Sequence, residues 1–215
     1  MQGYDYIVIG GGSAGCVVTQ RLVEAGKGVL LLEAGPADNH PFVHIPGTFV
    51  RLFGSKRTFM YKSEDEPGLK GRPMHVPQGR TLGGGSSVNA MIYIRGQAQD
   101  YDHWADLGAE GWSYEDMLPV CRRCEANPRL AGPSHGTEGK LQVSDTRYRH
   151  PLSYAFLRAA QESGVPYTHD FNGADQAGAG FFQTTTREGK RGSTAATYLA
   201  SVRGRQNLTI RTEAA

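Results

Sequence analysis

Two glycine-rich segments hold the residues whose types and spacing could do chemistry. The first is the run 10–15, Gly-Gly-Gly-Ser-Ala-Gly, which follows an apolar stretch and precedes a helical one. Gly10 permits a tight turn, Gly12 lets the backbone approach a pyrophosphate, and Gly15 lets the helix pack on the strand. The helix N-terminus adds free N–H groups and the positive end of its dipole. The pattern predicts a dinucleotide-binding turn formed by Gly10, Gly12, Ser13, Ala14 and Gly15.

An acidic residue closes the second strand of the same unit. Glu33 ends the apolar run 29–32. It follows Gly15 at the spacing at which a carboxylate accepts hydrogen bonds from the hydroxyls of a ribose and disfavours a 2′-phosphate. A glycine triplet alone is a weak signal, whereas strand, turn, helix, strand and acid in register favour a dinucleotide over a chance turn.

The second glycine-rich segment lies at 79–92. Three consecutive glycines, 83–85, are followed by Ser86 and Ser87. Such glycines permit positive φ angles and let backbone N–H groups approach a ligand, and two serines add hydroxyl donors. Because Arg80 and Asn89 flank the glycines among apolar residues, a flexible linker is the poorer interpretation. The segment predicts a loop that clamps an anion or a flat ring.

The elements that must position these segments are an alternation of strands and helices. We expect a strand at 4–9, a helix at 13–26 that ends at Gly26, and a strand at 28–33 covered on both faces. The helix should face the sheet with Val17, Val18, Leu22 and Ala25. The segment 34–70, broken by prolines, predicts a long surface excursion with one short helix at 47–54. Later helices and strands are expected at 97–125 (with breaks near 108 and 111), 151–164, 180–185, 193–201 and 207–212.

Composition excludes several classes of protein. The 23 basic and 21 acidic residues nearly balance, so nothing indicates nucleic acid as a partner, and the basic cluster 187–191 predicts a solvated face or a single-anion contact. No apolar run approaches the roughly 20 residues that span a bilayer. Three cysteines and no leader-like N-terminus favour a reducing compartment, and we expect the cytoplasm. The histidines show no metal-ligand spacing.

Together the motifs resemble those of the glucose–methanol–choline (GMC) oxidoreductases, FAD-dependent enzymes that oxidise alcohols. The resemblance is carried by the run 10–15 with Leu-Glu-Ala-Gly at 32–35, and by Gly-Arg-Thr-Leu-Gly-Gly-Gly-Ser-Ser-Val-Asn at 79–89. It continues through Asp-Tyr-Asp-His-Trp at 100–104, Gly-Trp-Ser-Tyr at 111–114 and Arg-Gly-Ser-Thr-Ala-Ala-Thr-Tyr-Leu at 191–199. The choline-dehydrogenase-like and aromatic hydroxymethyl-oxidising branches are the most similar.

The resemblance implies a Rossmann-like α/β FAD-binding domain (ββα, parallel sheet) with part of an α+β substrate-binding domain. The first is expected at 1–135 and 190–215, and the second begins within 136–189. The turn at 10–15 would hold the pyrophosphate and Glu33 the ribose. Some relatives carry a flavin-linked histidine where this chain has Val88, so we expect non-covalent FAD. The implied cofactor residues beyond the first turn are Glu33, Ala34, Arg80, Gly84, Gly85, Ser87, Asn89, Ala90, Met91 and Ile92.

The implied activity is oxidation of a primary alcohol to an aldehyde by hydride transfer to flavin. The catalytic histidine of that family lies in a C-terminal region that nothing in 1–215 matches, so no catalytic residue is assigned here. We expect the N-terminal portion of a longer enzyme, inactive alone and completed by a C-terminal polypeptide. The alternatives are a non-redox FAD-containing lyase of the same family, a nicotinamide-dependent dehydrogenase, and a structural subunit.

Overall fold

The computed structural model describes residues 3–214 of the chain. Its α-helices are, in chain order, α1 Ser13–Glu24, α2 Pro41–His44, α3 Ala98–Asp106, α4 Tyr114–Cys124, α5 Pro151–Glu162 and α6 Thr194–Thr197. Its strands are β1 Tyr6–Ile9, β2 Val29–Leu32, β3 Thr58–Lys62, β4 His75–Gly79, β5 Ile92–Tyr93, β6 Glu125–Ala126, β7 Leu141–Gln142, β8 Ser144–Asp145, β9 Gln183–Thr184, β10 Thr186–Arg187, β11 Lys190–Arg191 and β12 Leu208–Arg211. Short 3-10 helices lie at Pro46–Leu52, Pro67–Leu69, Gly84–Ser87 and Leu199–Ser201.

The chain divides into two compact units. The first comprises residues 3–91 together with 188–214, and the second comprises 92–187. The sequence-based division into functional domains placed its boundaries after 135 and after 189. The second falls within two residues of the observed boundary, whereas the first lies 44 residues beyond it. That functional division remains a prediction, because compactness alone does not say which part of the chain binds a substrate.

A three-stranded parallel sheet forms the centre of the first unit. Its order is β1–β2–β12, with Val29 of β2 opposite both Tyr6 and Leu208. The buried side chains of β2, Val29 and Leu31, pack in one apolar cluster with α1, α6 and the 3-10 helix that follows α6. The predicted α/β fold with parallel strands is therefore confirmed.

Helix α1 ends as predicted but buries a different face. Gly26 has φ +78° and its N–H donates to the carbonyl of Val23, a glycine-terminated helix end. The buried residues of α1 are Cys16, Thr19, Gln20 and Val23, whereas Val18 is exposed. The prediction was wrong at Val18 and Ala25, which are exposed, whereas Leu22 packs against the buried cluster. It gave weight to hydrophobicity alone, and buried polar side chains share the inner face of this helix.

The excursion after β2 contains regular structure that the sequence did not predict. Strands β3 and β4 pair antiparallel, with Thr58 opposite Gly79 and Lys62 opposite His75. The short helix expected at 47–54 is a 3-10 helix, Pro46–Leu52, preceded by α2. The sequence did not predict this hairpin because its connection, 63–74, lacks a two-residue turn signal and because Pro77, a residue disfavoured in strands, lies within the second strand.

The second unit is built around short antiparallel strands and three helices. Its sheet has the order β5–β9–β8, and β6 pairs parallel with β7. Helix α4 begins at a capping box, in which Ser113 and Asp116 exchange hydrogen bonds between side chain and backbone. Helix α5 begins at Pro151 and is followed by Gly164 with φ +87°, close to the expected limits.

Strand β1 is largely exposed, and β2 is not fully buried, contrary to the expectation that the strand at 28–33 is covered on both faces. Ile7 is 60% and Ile9 85% exposed, and β2 alternates buried with half-buried residues. Within the described residues β1 pairs on one side only, with β2. The continuous apolar run of β2 predicted full burial, but its coverage within this chain is one-sided. No helix of residues 3–214 is long and apolar enough to cross a membrane.

Candidate functional site

The turn between β1 and α1 has the geometry that its glycines predict. Gly10 has φ +94°, a conformation that side-chain-bearing residues rarely adopt. A Cβ on Gly15 would collide with the carbonyl oxygen of Gly10, so α1 approaches the turn at a distance that only glycine allows. These two positions fix where α1 begins relative to β1.

The N-terminus of α1 is open to an anion. Gly12 is the N-cap residue with extended backbone (φ −75°, ψ −163°), no side chain caps the helix, and its first turn contains no acidic residue. The N–H groups of Ser13 and Ala14 lie in that first turn. A Cβ on Gly12 would meet only the Cα of Gly84, at 4.0 Å. The space beside Gly12 is therefore free, and the helix dipole favours negative charge there.

Glu33 lies beside this turn and holds it. One carboxylate oxygen accepts the backbone N–H of Gly11 and the other accepts that of Gly35, both at 2.8 Å. Glu33 is only 6% exposed, and Ala34 beside it is half-buried. Because each carboxylate oxygen has two lone pairs, each retains one for a hydroxyl donor such as a ribose. The sequence had given Glu33 a ligand role but no structural one.

The structure brings the second glycine-rich segment directly against the first. The N–H of Gly83 donates to the carbonyl of Gly11 at 2.7 Å. Gly84 has φ +52°, and a Cβ there would lie 2.7 Å from the Cα of Gly12. Gly85 is exposed, with open space around it. The two segments, whose contacting residues Gly11 and Gly83 are 72 positions apart in the chain, therefore pack against each other at the start of α1.

The serines of the second segment have a different role from the expected one. The hydroxyl of Ser87 is buried and donates to the carbonyl of Leu82 at 2.6 Å. The hydroxyl of Ser86 donates to the carbonyl of Gly83 and also contacts Thr194. Both hydroxyls thus bond within the protein in this structure, whereas the sequence analysis expected them to donate to a ligand. They shape the loop instead.

Arg80 brings an unsatisfied donor to the same region. Its Nε is buried and has no hydrogen-bond partner within residues 3–214, while its guanidinium lies 5.1 Å from the centre of the Phe59 ring. The backbone of Arg80 lies so close to Gly35 that a Cβ on that glycine would collide with it. A buried N–H without a partner is costly, and an anionic ligand oxygen would satisfy it.

The last predicted residues lie at the end of this loop. Asn89 Oδ1 accepts the N–H of Met91 at 3.1 Å, and Met91 is buried with φ +63°. Ala90 is exposed. Ile92 begins the second unit and is half exposed, so the structure groups it with a different part of the chain from the other predicted residues.

Arg191 is the residue that sequence reasoning missed. It belongs to a basic cluster that predicted a solvated face, yet it is 3% exposed and bonds to Val43, Ser86 and Asn89. Burial lowers the pKa of its guanidinium to about 10. The available signal was its place in the run Arg-Gly-Ser-Thr at 191–194, which carries the family resemblance, rather than its charge.

Comparison with known proteins shows the family to which the chain belongs. The sequence model of a family described as GMC oxidoreductase matches residues 4–215. An alcohol dehydrogenase [acceptor] of Pseudomonas putida is 43% identical over 214 residues, which is 98% of this chain and 39% of that protein. A mitochondrial choline dehydrogenase of Mus musculus is 44% identical, over 95% of this chain and 36% of that protein.

A solved structure has the same fold over nearly the whole chain. The crystal structure of pyridoxine 4-oxidase from Mesorbium loti superposes with a TM-score of 0.91 at 34% identity, over 98% of this chain and 42% of that one. The chain thus spans about two fifths of the length of these relatives. The family comprises FAD-binding oxidoreductases, and this chain belongs to the GMC oxidoreductase family.

Proposed function

We propose that the first unit is the FAD-binding part of an enzyme that oxidises a primary alcohol to an aldehyde. The observation that carries the proposal is the contact between the two glycine-rich segments at the uncapped start of α1, where Gly83 bonds to Gly11. A nicotinamide-dependent dehydrogenase would use the first turn but gives no role to the second segment. The packed pair of segments therefore favours FAD.

The residues present fit the parts of FAD. The N–H groups at the start of α1, with Gly10, Gly12, Ser13, Ala14 and Gly15, suit the pyrophosphate. The lone pairs left on Glu33 suit the hydroxyls of the adenosine ribose, with Ala34 beside it. Arg80 Nε offers a buried donor to a phosphate oxygen. The remaining contacts we assign to Gly84, Gly85, the backbone of Ser87, Asn89, Ala90, Met91 and Ile92.

When bound, FAD supplies a two-electron acceptor that takes a hydride from the alcohol carbon. The described residues bind and orient the cofactor, and the glycines bring the backbone against it. None of them is assigned as the base that accepts the hydroxyl proton. We propose that this base belongs to a C-terminal polypeptide that completes the enzyme, so that the chain alone does not turn over.

The exposed strand β1 supports the need for such a polypeptide. Its Ile7 and Ile9 are largely exposed, and its hydrogen-bonding edge opposite β2 is unpaired within the described residues. Parallel sheets are stable when buried on both faces, and an open apolar edge invites another strand. The relatives are more than twice as long as this chain. We propose that the additional polypeptide lies along this edge.

We propose that FAD is held without a covalent bond. Val88 has no nucleophilic atom, and it is buried in an apolar cluster with Val43, Leu52 and Phe42. Affinity must then come from the phosphate contacts and from burial of the ring system.

We further assign residues 136–189 to the start of the substrate-binding domain. The three cysteines are free, which supports a reducing compartment such as the cytoplasm.

The visible absorption spectrum of the purified protein tests this proposal. We expect flavin bands in the native protein and their transfer to the supernatant after acid precipitation. Bands that remain in the pellet would overturn the non-covalent assignment. A colourless protein that binds no added FAD would overturn the assignment of the cofactor, and stabilisation by NAD⁺ instead would favour the nicotinamide alternative.

A further inference from the structure

Arg191 is a buried cation without a counter-ion. It is 3% exposed, and no carboxylate of the described residues forms an ion pair with it. A charge removed from water is costly unless hydrogen bonds replace its hydration. Burial, acting alone, lowers the pKa of Arg191 to about 10, so the guanidinium still carries its charge at neutral pH.

The N–H groups of the Arg191 guanidinium donate hydrogen bonds to oxygen atoms of segment 86–89 and of α2. Its Nε donates to the carbonyl of Val43 at 2.7 Å. One terminal nitrogen donates to the carbonyl of Ser86 at 3.0 Å and to Oδ1 of Asn89 at 2.7 Å. The other donates to the carbonyl of Asn89 at 2.8 Å. Arg191 therefore ties the segment 86–89 to α2 by four hydrogen bonds.

These bonds determine the conformation of the residues that follow. In a planar trans peptide the C=O and N–H point in opposite directions. Because the carbonyl of Asn89 faces Arg191, the N–H of Ala90 points away from it. Oδ1 of Asn89 also accepts the N–H of Met91, which has φ +63°. A backbone conformation that is unfavourable for methionine is thus supported by a side chain that Arg191 holds in place.

We propose that Arg191 is a positioning residue for FAD: it fixes the conformation of segment 86–91 against which the flavin binds, and its uncompensated charge favours the reduced, anionic cofactor over the oxidised one. This inference rests on the proposed FAD-binding function. An unpaired cation in a site of low dielectric stabilises added negative charge more strongly than it would in water. Lysine at this position would keep the charge but could not reproduce the planar set of donors.

Two substitutions of Arg191 separate the effect of its hydrogen-bond geometry from the effect of its charge. Arg191→Gln removes the charge and most of the donors, whereas Arg191→Lys keeps the charge. Arg211→Gln is the matched control, because Arg211 is an exposed arginine of the same unit. For each FAD-loaded protein we would measure the dissociation constant of oxidised FAD and the midpoint potential. The potential comes from titration with dithionite, whose two electrons, with one proton from water, convert FAD to FADH⁻.

We expect Arg191→Gln to bind oxidised FAD at least about tenfold more weakly. Its preference for reduced over oxidised FAD should fall by about a further tenfold, which lowers the potential by about 30 mV for a two-electron couple. Arg191→Lys should bind FAD more weakly but keep the wild-type potential, and the Arg211→Gln control should match the wild type in both measurements.

The outcomes distinguish this inference from the proposal on which it rests. If the wild type binds no FAD, the proposed function fails. If the wild type binds FAD and Arg191→Gln keeps both its affinity and its potential, the inference is overturned. If Arg191→Gln does not fold, Arg191→Lys decides: wild-type affinity would overturn the inference, and weaker binding at an unchanged potential would support it.

Discussion

The carboxylate of Glu33, at the end of β2, accepts the backbone N–H of Gly11 at 2.8 Å, in the turn that follows β1. One side chain therefore links two neighbouring strand ends, and its other oxygen holds Gly35. The acid that a dinucleotide motif requires for its ligand is here also a structural part of the glycine turn. Removing the Glu33 side chain and removing only its charge should consequently have different effects on the stability of the fold.

Glu33→Ala should destabilise the fold as well as weaken FAD binding. It leaves two buried N–H groups without acceptors, at a cost of about 1–3 kcal/mol each. Glu33→Gln keeps one acceptor and the side-chain volume, so we expect a smaller loss of stability but a clear loss of affinity for FAD. Chemical denaturation and flavin titration of both variants check this. Equal stability of Glu33→Ala and wild type would contradict the structural role.

Gly12→Val should abolish FAD retention while leaving the fold intact. The extended backbone of Gly12 accepts a side chain, and a Cβ there has only Gly84 within 4.0 Å, so the new side chain would occupy the space for the pyrophosphate. Gly68→Val, at an exposed position with open surroundings, is the control. Gly15→Val should instead unfold the protein. Circular dichroism and flavin content distinguish the three, and a Gly12→Val protein with normal flavin content would refute the assignment of this turn.

Alkaline pH should destabilise the protein through Tyr93. Burial raises its pKa from 10.0 to about 12 in the folded chain. The unfolded chain therefore loses this proton first, so stability is retained below about pH 10 and lost as the pH rises toward 12. Tyr93→Phe lacks the proton, and its free energy of unfolding should fall less over that window. Urea denaturation of both proteins from pH 9 to 11.5 tests this. If the free energy of unfolding falls equally with pH in both, Tyr93 does not contribute to alkaline destabilisation.

Glu125→Ala should cost about 3–5 kcal/mol of stability, because it leaves the buried Arg95 without the carboxylate that pairs with its charge. The two side chains are 0% and 7% exposed and lie 2.6 Å apart, and Glu125 also contacts His135. Arg129→Ala is the control, since its pair with Asp145 is 44% and 29% exposed. We expect that control to change stability by no more than about 1 kcal/mol. A similar loss of stability in Glu125→Ala and Arg129→Ala would argue that burial does not strengthen the effect of breaking the ion pair.

Sequence reasoning succeeded where the determining residues are close in the chain. The turn at 10–15 and the end of α1 at Gly26 each follow from spacings of a few residues. It failed where the burial of a side chain depends on residues that are distant in the chain. Arg191 is buried because Val43, 148 positions away, and the loop at 86–89 supply its acceptors. The inner face of α1 likewise depends on what packs against Thr19 and Gln20 rather than on their hydrophobicity.

The parallel pairing of β2 with β12, in which Val29 lies opposite Leu208, also has a consequence for biosynthesis. The ribosome must complete the entire second unit before it can supply the strand that β2 needs as its neighbour. At about 5–20 residues per second this interval is on the order of 10–40 s. Throughout it, the apolar side chains of β1 and β2 are without β12, so the nascent chain depends on chaperones or on slow, non-local closure. The glycine turn at 10–15 and the strand β2 beside it are thus synthesised long before β12, the strand that completes their sheet.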